Sequence, residues 1–346
     1  MVKLGSIGDI VHTLPVLAAV RKALPDAQIS WVVEEKTAEI LRGNRLIDNL
    51  IEVDTHSLRG GRVVEEMLLD ASKQIRGLRS FTFDVAIDFQ GLWKSALIGK
   101  LSGAPRRWGF AREGLREPAC RILLTDTVET PKEINVIRKN LALAAGALGI
   151  DLPAGDFEFP IVTGDEHVTE SEAIIARAGV EFAILNPGGG WVTKLWHAEK
   201  FGGLADALWE ERGLTPVVVT GPKEQDLAET VRANSRSGKA VFAGPSLKGL
   251  YELAKRARIF VGGDTGPTHI AIAAGAPVVG LFGPTEWWRN GSTNIDDICV
   301  ERNEIDCRVD CHRRTCSKWI CMDSDVGVVI AAVNERLRKV RSEVKI

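Results

Sequence analysis

The sequence predicts an α/β protein made of two Rossmann-like domains that face each other across a cleft. Three observations carry that expectation. The chain has 346 residues, long for one hydrophobic core and comfortable for two. Short apolar runs alternate with helical patterns in both halves, which calls for parallel sheets with right-handed crossovers. Glycine-rich turns follow strands in both halves, and such sheets take ligands beyond the carboxyl ends of their strands.

In the first half, Val2–Leu4, Ile29–Val33, Leu50–Val53 and Val85–Asp88 read as strands. The opening MVKLGSIGD leaves the first of them about four residues where five or six are usual, so a start upstream, or a trimmed one, is expected. LPVLAAVRKAL, VVEEMLLDASKQIRGL (apolar at i, i+4 and i+7), LWKSALIGKL and Asn135–Ala147 read as helices. GIDLPAGDFEFPIVTGDE, rich in proline and glycine, suits a linker. It separates an N-terminal domain over 1–155 from a C-terminal domain over 156–325. There Phe182–Leu185, Val217–Thr220, Ala240–Phe242, Ile259–Gly262 and Val278–Phe282 read as strands, with helices in AEKFGGLADALWEER, KEQDLAETVRANS and LKGLYELAKRA. Residues 326–346 are expected to form a helix packing back on the N-terminal domain.

Apolar content of 45% and charged content of 26% are those of an ordinary globular protein. A net charge of -2 argues against a nucleic-acid partner. No apolar run approaches the roughly 18 residues of a membrane span, and no basic-then-apolar leader opens the chain. The expectation is a cytoplasmic protein whose membrane contact, if any, is peripheral.

Four strand-to-helix turns hold the chemistry. In KLGSIGDIVHTLP, Gly5 and Gly8 allow a tight turn with backbone N–H groups near a ligand. Asp9 follows, either as a helix N-cap or as a carboxylate placed to accept a proton, and the helix dipole keeps it charged and weakens it as a base. His12 is a packed or capping histidine, or part of the same pocket. In LNPGGGWVTKLW, Gly188, Gly189 and Gly190 expose successive N–H groups to phosphate oxygens, and Lys194 adds a point charge. The spacing is not that of a P-loop. In VVVTGPKEQDL, Glu224 is a first-turn helix acid or an acceptor for ribose hydroxyls. In VGGDTGPTHIAIAAGAPVVGLFG, Asp264-Thr265-Gly266 ends a strand, Pro267 suits the first helical position, and the helix end favours a diphosphate. Asp264 would repel that phosphate unless it faces sugar hydroxyls or a cation, and His269 is within reach of the same pocket.

Together KLGSIGDIVHTLP, WVVEEKTAEIL, AIDFQGLWKSAL, REPACRILL and FVGGDTGPTHIAIAAGAPVVGLFGPT resemble the ADP-heptose:lipopolysaccharide heptosyltransferases of glycosyltransferase family 9, and most closely their type I members. The resemblance runs through nearly the whole chain, and it implies a GT-B fold with the acceptor on the first domain and the nucleotide-sugar on the second. It implies inverting transfer of L-glycero-D-manno-heptose from ADP-heptose to the Kdo of Kdo-lipid A, by a monomer peripheral on the inner face of the inner membrane, with no required cofactor. By the same resemblance Asp9 is the general base. Gly188–Gly190 and Lys194 meet the diphosphate, Glu224 the ribose, Asp264 the heptose, and Thr265, Gly266 and His269 the phosphates and sugar. Gly8 and His12, with Arg59, Arg62, Arg112 and Arg116, fall in the acceptor half; Arg106 and Arg107 lie there too. Guanidinium forks suit the carboxylates and phosphates of such an acceptor, although a solvated basic face reads the same way.

Two features depart from the family pattern. Gly188-Gly189-Gly190-Trp191 replaces a stretch that often carries hydroxyls. Cys307, Cys311, Cys316 and Cys321 form a cluster that could be a zinc site with His312, a disulfide, or reduced thiols; CxxC pairs are absent and a cytosol disfavours the disulfide. Trp287, Trp288 and Arg289 of EWWRNG, after the expected last strand of the second domain, either close over the ligand or pack in the core. Competing readings are a type II-like or related transferase with another sugar or acceptor, a non-catalytic nucleotide-sugar binder, and an NAD-dependent dehydrogenase, the last without its G-x-G-x-x-G signature.

Overall fold

The structure is a computed structural model that describes residues 1–54, 77–78, 80–151, 155, 157–307, 311 and 313–343. Most of VVEEMLLDASKQIRGL, together with Arg59, Arg62 and His312, lies outside the described residues. The chain divides into two compact units, Met1–Val162 and Thr163–Ile346.

In the first unit β1 (Ser30–Glu34) pairs in parallel with β2 (Asn49–Val53). β3 (Val85–Ile87), β4 (Arg106–Phe110) and β5 (Asp126–Val128) form a second parallel set. The expected strand Val2–Leu4 is reduced to bridges at Val2, one to Val32 and one to Asp88, and these join the two sets. β4 and β5 were not expected as strands. In β4 Arg106 is exposed, Arg107 and Trp108 are half-buried and only Gly109 and Phe110 are buried, so the strand opens on two charged residues that mask its short apolar run. The helix Leu14–Ala23 buries Leu14, Val16, Leu17 and Val20 at helical spacing. The helix Val136–Leu148 starts on Asn135, whose side chain accepts the Ile137 N–H, and stops at Gly149 in a left-handed conformation.

The second unit holds a six-stranded, all-parallel sheet in the order β11-β10-β9-β6-β7-β8. These are β6 (Phe182–Asn186), β7 (Thr215–Val219), β8 (Val241–Ala243), β9 (Ile259–Gly263), β10 (Val278–Leu281) and β11 (Ile298–Val300). β6, β9 and β10 are buried throughout, as near-continuous apolar strands covered on both faces should be. Two elements were missed. The helix Asp165–Ala178 begins inside the expected linker, and β11 extends the sheet past the expected last strand.

The C-terminal helix Val326–Glu343 packs on the helix Ala198–Arg212 and on β10 and β11, where Val329 and Val333 enter the core of the second unit. The helix was expected to pack back on the N-terminal domain; its packing among the described residues is within the second unit. A buried ion pair fastens the helix: Arg336 Nε lies 2.8 Å from Asp297 Oδ1, which also accepts the Val278 N–H. No helix among the described residues is long and apolar enough to cross a membrane.

Candidate active site

Two carboxylates, one in each unit, gather the residues singled out by the sequence. In the first unit, Ser6 precedes the five-residue helix Ile7–Val11 and Asp9 is its third residue. Asp9 is therefore not the N-cap. Its Oδ2 accepts the Ser6 N–H at 3.0 Å and the Ser6 hydroxyl at 3.2 Å. Its Oδ1 faces two cations, Lys3 Nζ at 3.2 Å and Arg116 Nη2 at 3.0 Å. Lys3 is buried and also donates to the Phe89 carbonyl at 2.9 Å. Burial pushes the Asp9 carboxyl up, but Lys3, Arg116, His12 and the Ser6 N–H together hold it well below the ordinary range. The carboxylate is thus ionised and strongly paired.

Gly8 and His12 are buried on either side of Asp9 along the chain, and the His12 carbonyl accepts from Asn140 Nδ2. Arg112 stands exposed on a turn, Arg112–Gly114, packed against the turn Pro118–Leu123. Arg107 spends its guanidinium on the carbonyls of Leu123 and Ala104, and Arg106 lies over the Trp108 ring, so these two have structural partners. Lys3 was not expected. Its charge is visible in KLGSIGD, but only the fold reveals that it turns inward onto Asp9.

Beside this corner Asp88 ends the short strand β3. Its Oδ1 accepts the Gln90 and Gly91 N–H groups and its Oδ2 the Ser95 hydroxyl. Burial outweighs these neutral donors and pushes its carboxyl up to about 6.

In the second unit the ends of β6, β7 and β9 come together. Asn186 donates to the Val219 carbonyl and its Oδ1 accepts the Thr265 hydroxyl at 3.2 Å, linking three strand ends. The glycines of Gly188–Gly190 do more than expose N–H groups. A Cβ on Gly188 would overlap the Glu224 carboxylate, and one on Gly189 would overlap the Thr265 methyl. Glycine at these positions lets the loop lie flat between Glu224 and Thr265. Glu224 itself caps its own turn, its Oε2 accepting the Gly221 N–H at 2.7 Å.

Asp264 is the hub. Its Oδ2 accepts from Lys194 Nζ at 2.5 Å, Thr285 Oγ1 at 2.7 Å and Asn290 Nδ2 at 3.2 Å, and its Oδ1 meets His269 Nε2 at 3.0 Å. Burial raises the carboxyl, but His269 and Lys194 outweigh it and leave it well below the ordinary range. Asp264 thus has its cation, Lys194, from within the chain. Lys194 also sits over the Trp191 ring at 4.7 Å. Thr265 precedes the helix Gly266–Ala273, with Pro267 in its first turn and the N–H groups of that turn at the same strand end. In EWWRNG the tryptophans divide. Trp287 packs edge-on against Phe282, Trp288 is exposed, and the residue that reaches the site is Asn290. Thr285 and Asn290 were not singled out by the sequence.

The thiols of Cys307, Cys311, Cys316 and Cys321 are free, with Cys307 and Cys316 exposed, and Cys120 is buried. Among the described residues no group of three or more His, Cys, Asp or Glu is placed to hold a metal ion.

Parallel sheets in both units, with glycine turns and cation-paired carboxylates beyond them, define an α/β protein of the two-Rossmann-domain class. The model of glycosyltransferase family 9 (heptosyltransferase) matches residues 72–320, and the chain belongs to that family. It is a glycosyltransferase with the GT-B fold. It is 27% identical to lipopolysaccharide heptosyltransferase 1 of Pseudomonas aeruginosa over 92% of this chain and 86% of the relative. It is 26% identical to lipopolysaccharide heptosyltransferase 3 of Escherichia coli over 83% of this chain and 84% of the relative. Among solved structures, E. coli heptosyltransferase WaaC with ADP shares the fold at a TM-score of 0.77 and 22% identity, over 97% of this chain and 98% of that one. The family 9 glycosyltransferase of Veillonella parvula does so at 0.81 and 21%, over 98% and 96%.

Proposed function

We propose that this glycosyltransferase moves L-glycero-D-manno-heptose from ADP-heptose to the Kdo of a lipopolysaccharide inner core, inverting the anomeric centre. The observation that carries the reading is the Asp264 hub. It sets a carboxylate, a lysine, a histidine and two neutral donors at the start of the helix Gly266–Ala273, in a chain of family 9. The donor assignment is supported by the likeness to WaaC in its structures with ADP and with ADP-2-deoxy-2-fluoro heptose.

In this reading Asp9 takes the proton from the acceptor hydroxyl as its oxygen attacks the anomeric carbon. The bond from that carbon to the diphosphate breaks, and ADP leaves with its charge. Lys194 and the first-turn N–H groups after Thr265 steady that charge. Gly188–Gly190 lie along the diphosphate, Glu224 takes the ribose, and Asp264 and His269 face the sugar. Gly8, His12, Arg112 and Arg116 serve the acceptor, which is lipid-borne, so the enzyme works as a peripheral protein on the inner membrane's cytoplasmic face. The relatives named heptosyltransferase 3 favour one alternative, the same donor with an acceptor further out in the core.

Calorimetry with ADP-heptose, ADP-glucose, UDP-glucose and NAD tests the donor. Selective binding of ADP-heptose is expected, and preference for UDP-glucose or NAD would discard the reading. Transfer to Kdo-lipid A, compared with transfer to a core already carrying heptose, separates the two acceptors.

A further inference from the structure

The helix Trp93–Leu101 is apolar on two faces. Its inner face buries Ser95, Ala96 and Gly99. Its outer stripe, at i, i+4 and i+7, presents Trp93 (42% exposed), Leu97 (37%) and Lys100. Beside it packs the 3-10 turn Pro118–Leu123. That turn buries Cys120 and Leu123 and shows Ala119 and Ile122, which share one edge because residues three apart eclipse in such a turn. Ile122 is 76% exposed. Two hydrogen bonds clamp the elements together, Trp93 N–H to Glu117 Oε2 at 2.6 Å and Glu117 N–H to the Gly91 carbonyl at 3.0 Å. Soluble surfaces rarely group a tryptophan, a leucine and an isoleucine this way without a partner.

The charge around these residues is lopsided. Residues 92–124 carry seven Lys and Arg against two Glu in a chain whose total is -2. Lys94, Arg106 and Arg116 meet Glu34, Asp126 and Asp9 from outside that stretch, while Lys100 and Arg112 stand exposed. The patch also adjoins the Asp9 corner directly, since Arg116, which pairs with Asp9, precedes Glu117 in the chain.

We propose that Trp93, Leu97 and Ile122, with the surrounding cations, form a docking surface for an anionic lipid bilayer. A tryptophan at headgroup depth, aliphatic side chains beneath it and cations toward acidic headgroups are what reversible attachment needs, and neither the apolar nor the basic signal suffices alone. A lipid-borne acceptor gives such a surface its use, and no described helix is long and apolar enough to cross a bilayer. The inference deepens the transferase reading above and rests on it for choosing a bilayer as the occupant. It adds that the Asp9–Arg116 corner works next to the lipid surface.

The test is flotation of the full chain with vesicles of phosphatidylethanolamine and phosphatidylglycerol, against vesicles of phosphatidylcholine. Wild type should float with the anionic vesicles, and added salt should weaken it. Trp93→Ser combined with Leu97→Ser and Ile122→Ser should lower the partition coefficient by about tenfold or more. Trp93→Phe should restore most of the loss from Trp93→Ser, and Lys100→Gln should cost about fivefold on anionic vesicles alone. Melting temperature and ADP binding should stay at wild-type values in each variant. Failure of wild type to float, or equal flotation of the triple variant, overturns the proposal. So does a wild-type dimer in sedimentation that the same substitutions dissolve, for the face would then seat a second copy. Vesicle binding without ADP-heptose binding would remove the transferase reading and leave the lipid surface standing; the reverse result removes this inference alone.

Discussion

Asp9 lies in the first turn of a helix and Asp264 two residues before one, and both are held ionised by neighbouring groups, Lys3 and Arg116 for Asp9 and His269 and Lys194 for Asp264. They differ in what closes the arrangement. Around Asp264 four donors converge from three separate segments, and the carboxylate and His269 are both buried. Around Asp9 the partners on one oxygen are a buried lysine and an arginine whose side chain is 50% exposed. The first is a fastener joining loops. The second has one partner standing in solvent, which a ligand's carboxylate or phosphate can draw away. In the proposed reading Asp9 is the base; a carboxylate held far below its ordinary range is a poor proton acceptor, and a detachable cation would let the acceptor's own arrival restore its basicity.

The contrast is tested hardest by Asp264→Ala. Removing the hub leaves Lys194 and His269 without their counter-charge in a buried site, and breaking such a pair typically costs about 3–5 kcal/mol. Denaturant unfolding should show that loss, and calorimetry should show donor binding abolished. A variant with wild-type stability would mean that Asp264 serves only the ligand. Asp9→Asn should leave stability and ADP affinity nearly intact while turnover falls by about 10²–10⁴-fold, the range for losing a general base. Parallel loss of ADP affinity would erase the distinction between the two corners.

What the sequence made legible follows from distance along the chain. Asp9, Lys194 and Asp264 stand out because glycine turns mark them locally. Thr285 and Asn290 do not, because they meet Asp264 from 21 and 26 residues away and look like ordinary loop residues. The buried strands β6, β9 and β10 are plain as short apolar runs. β4 is hidden behind Arg106 and Arg107, and the helix Asp165–Ala178 behind a polar, acidic first turn that continues the linker's composition. The C-terminal helix sits in the second unit through Val329 and Val333 in its core and through Arg336 meeting Asp297, a pairing 39 residues apart that no local pattern announces.

Arg116→Gln sharpens the comparison at a smaller scale. Without that cation the Asp9 carboxyl rises toward its ordinary value, so the acidic limb of kcat/KM should move to higher pH. The acceptor KM should rise by up to about tenfold, limited by the arginine's exposure. The donor KM should not change. An unmoved acidic limb would mean that Lys3 alone sets the charge of Asp9.

Asp88 supplies the control, a buried carboxylate whose hydrogen-bond donors are all neutral. Its carboxyl is pushed up to about 6, against an ordinary value of 3.8. With the folded value the higher one, the folded state binds the proton more tightly than the unfolded chain does. Its contribution to stability is therefore greatest below 3.8, declines as pH rises to about 6, and is flat above that. Asp9 and Asp264 behave oppositely, adding stability above 3.8 that disappears only as pH falls toward their lower folded values. Asp88→Asn keeps an acceptor for the Gln90 and Gly91 N–H groups and removes the titration. Its stability relative to wild type should climb by about 1–3 kcal/mol between pH 4 and pH 6 and then level off. Chemical denaturation across that window checks it, and parallel profiles for the two proteins would show that Asp88 does not titrate there, leaving burial without the cost assigned to it.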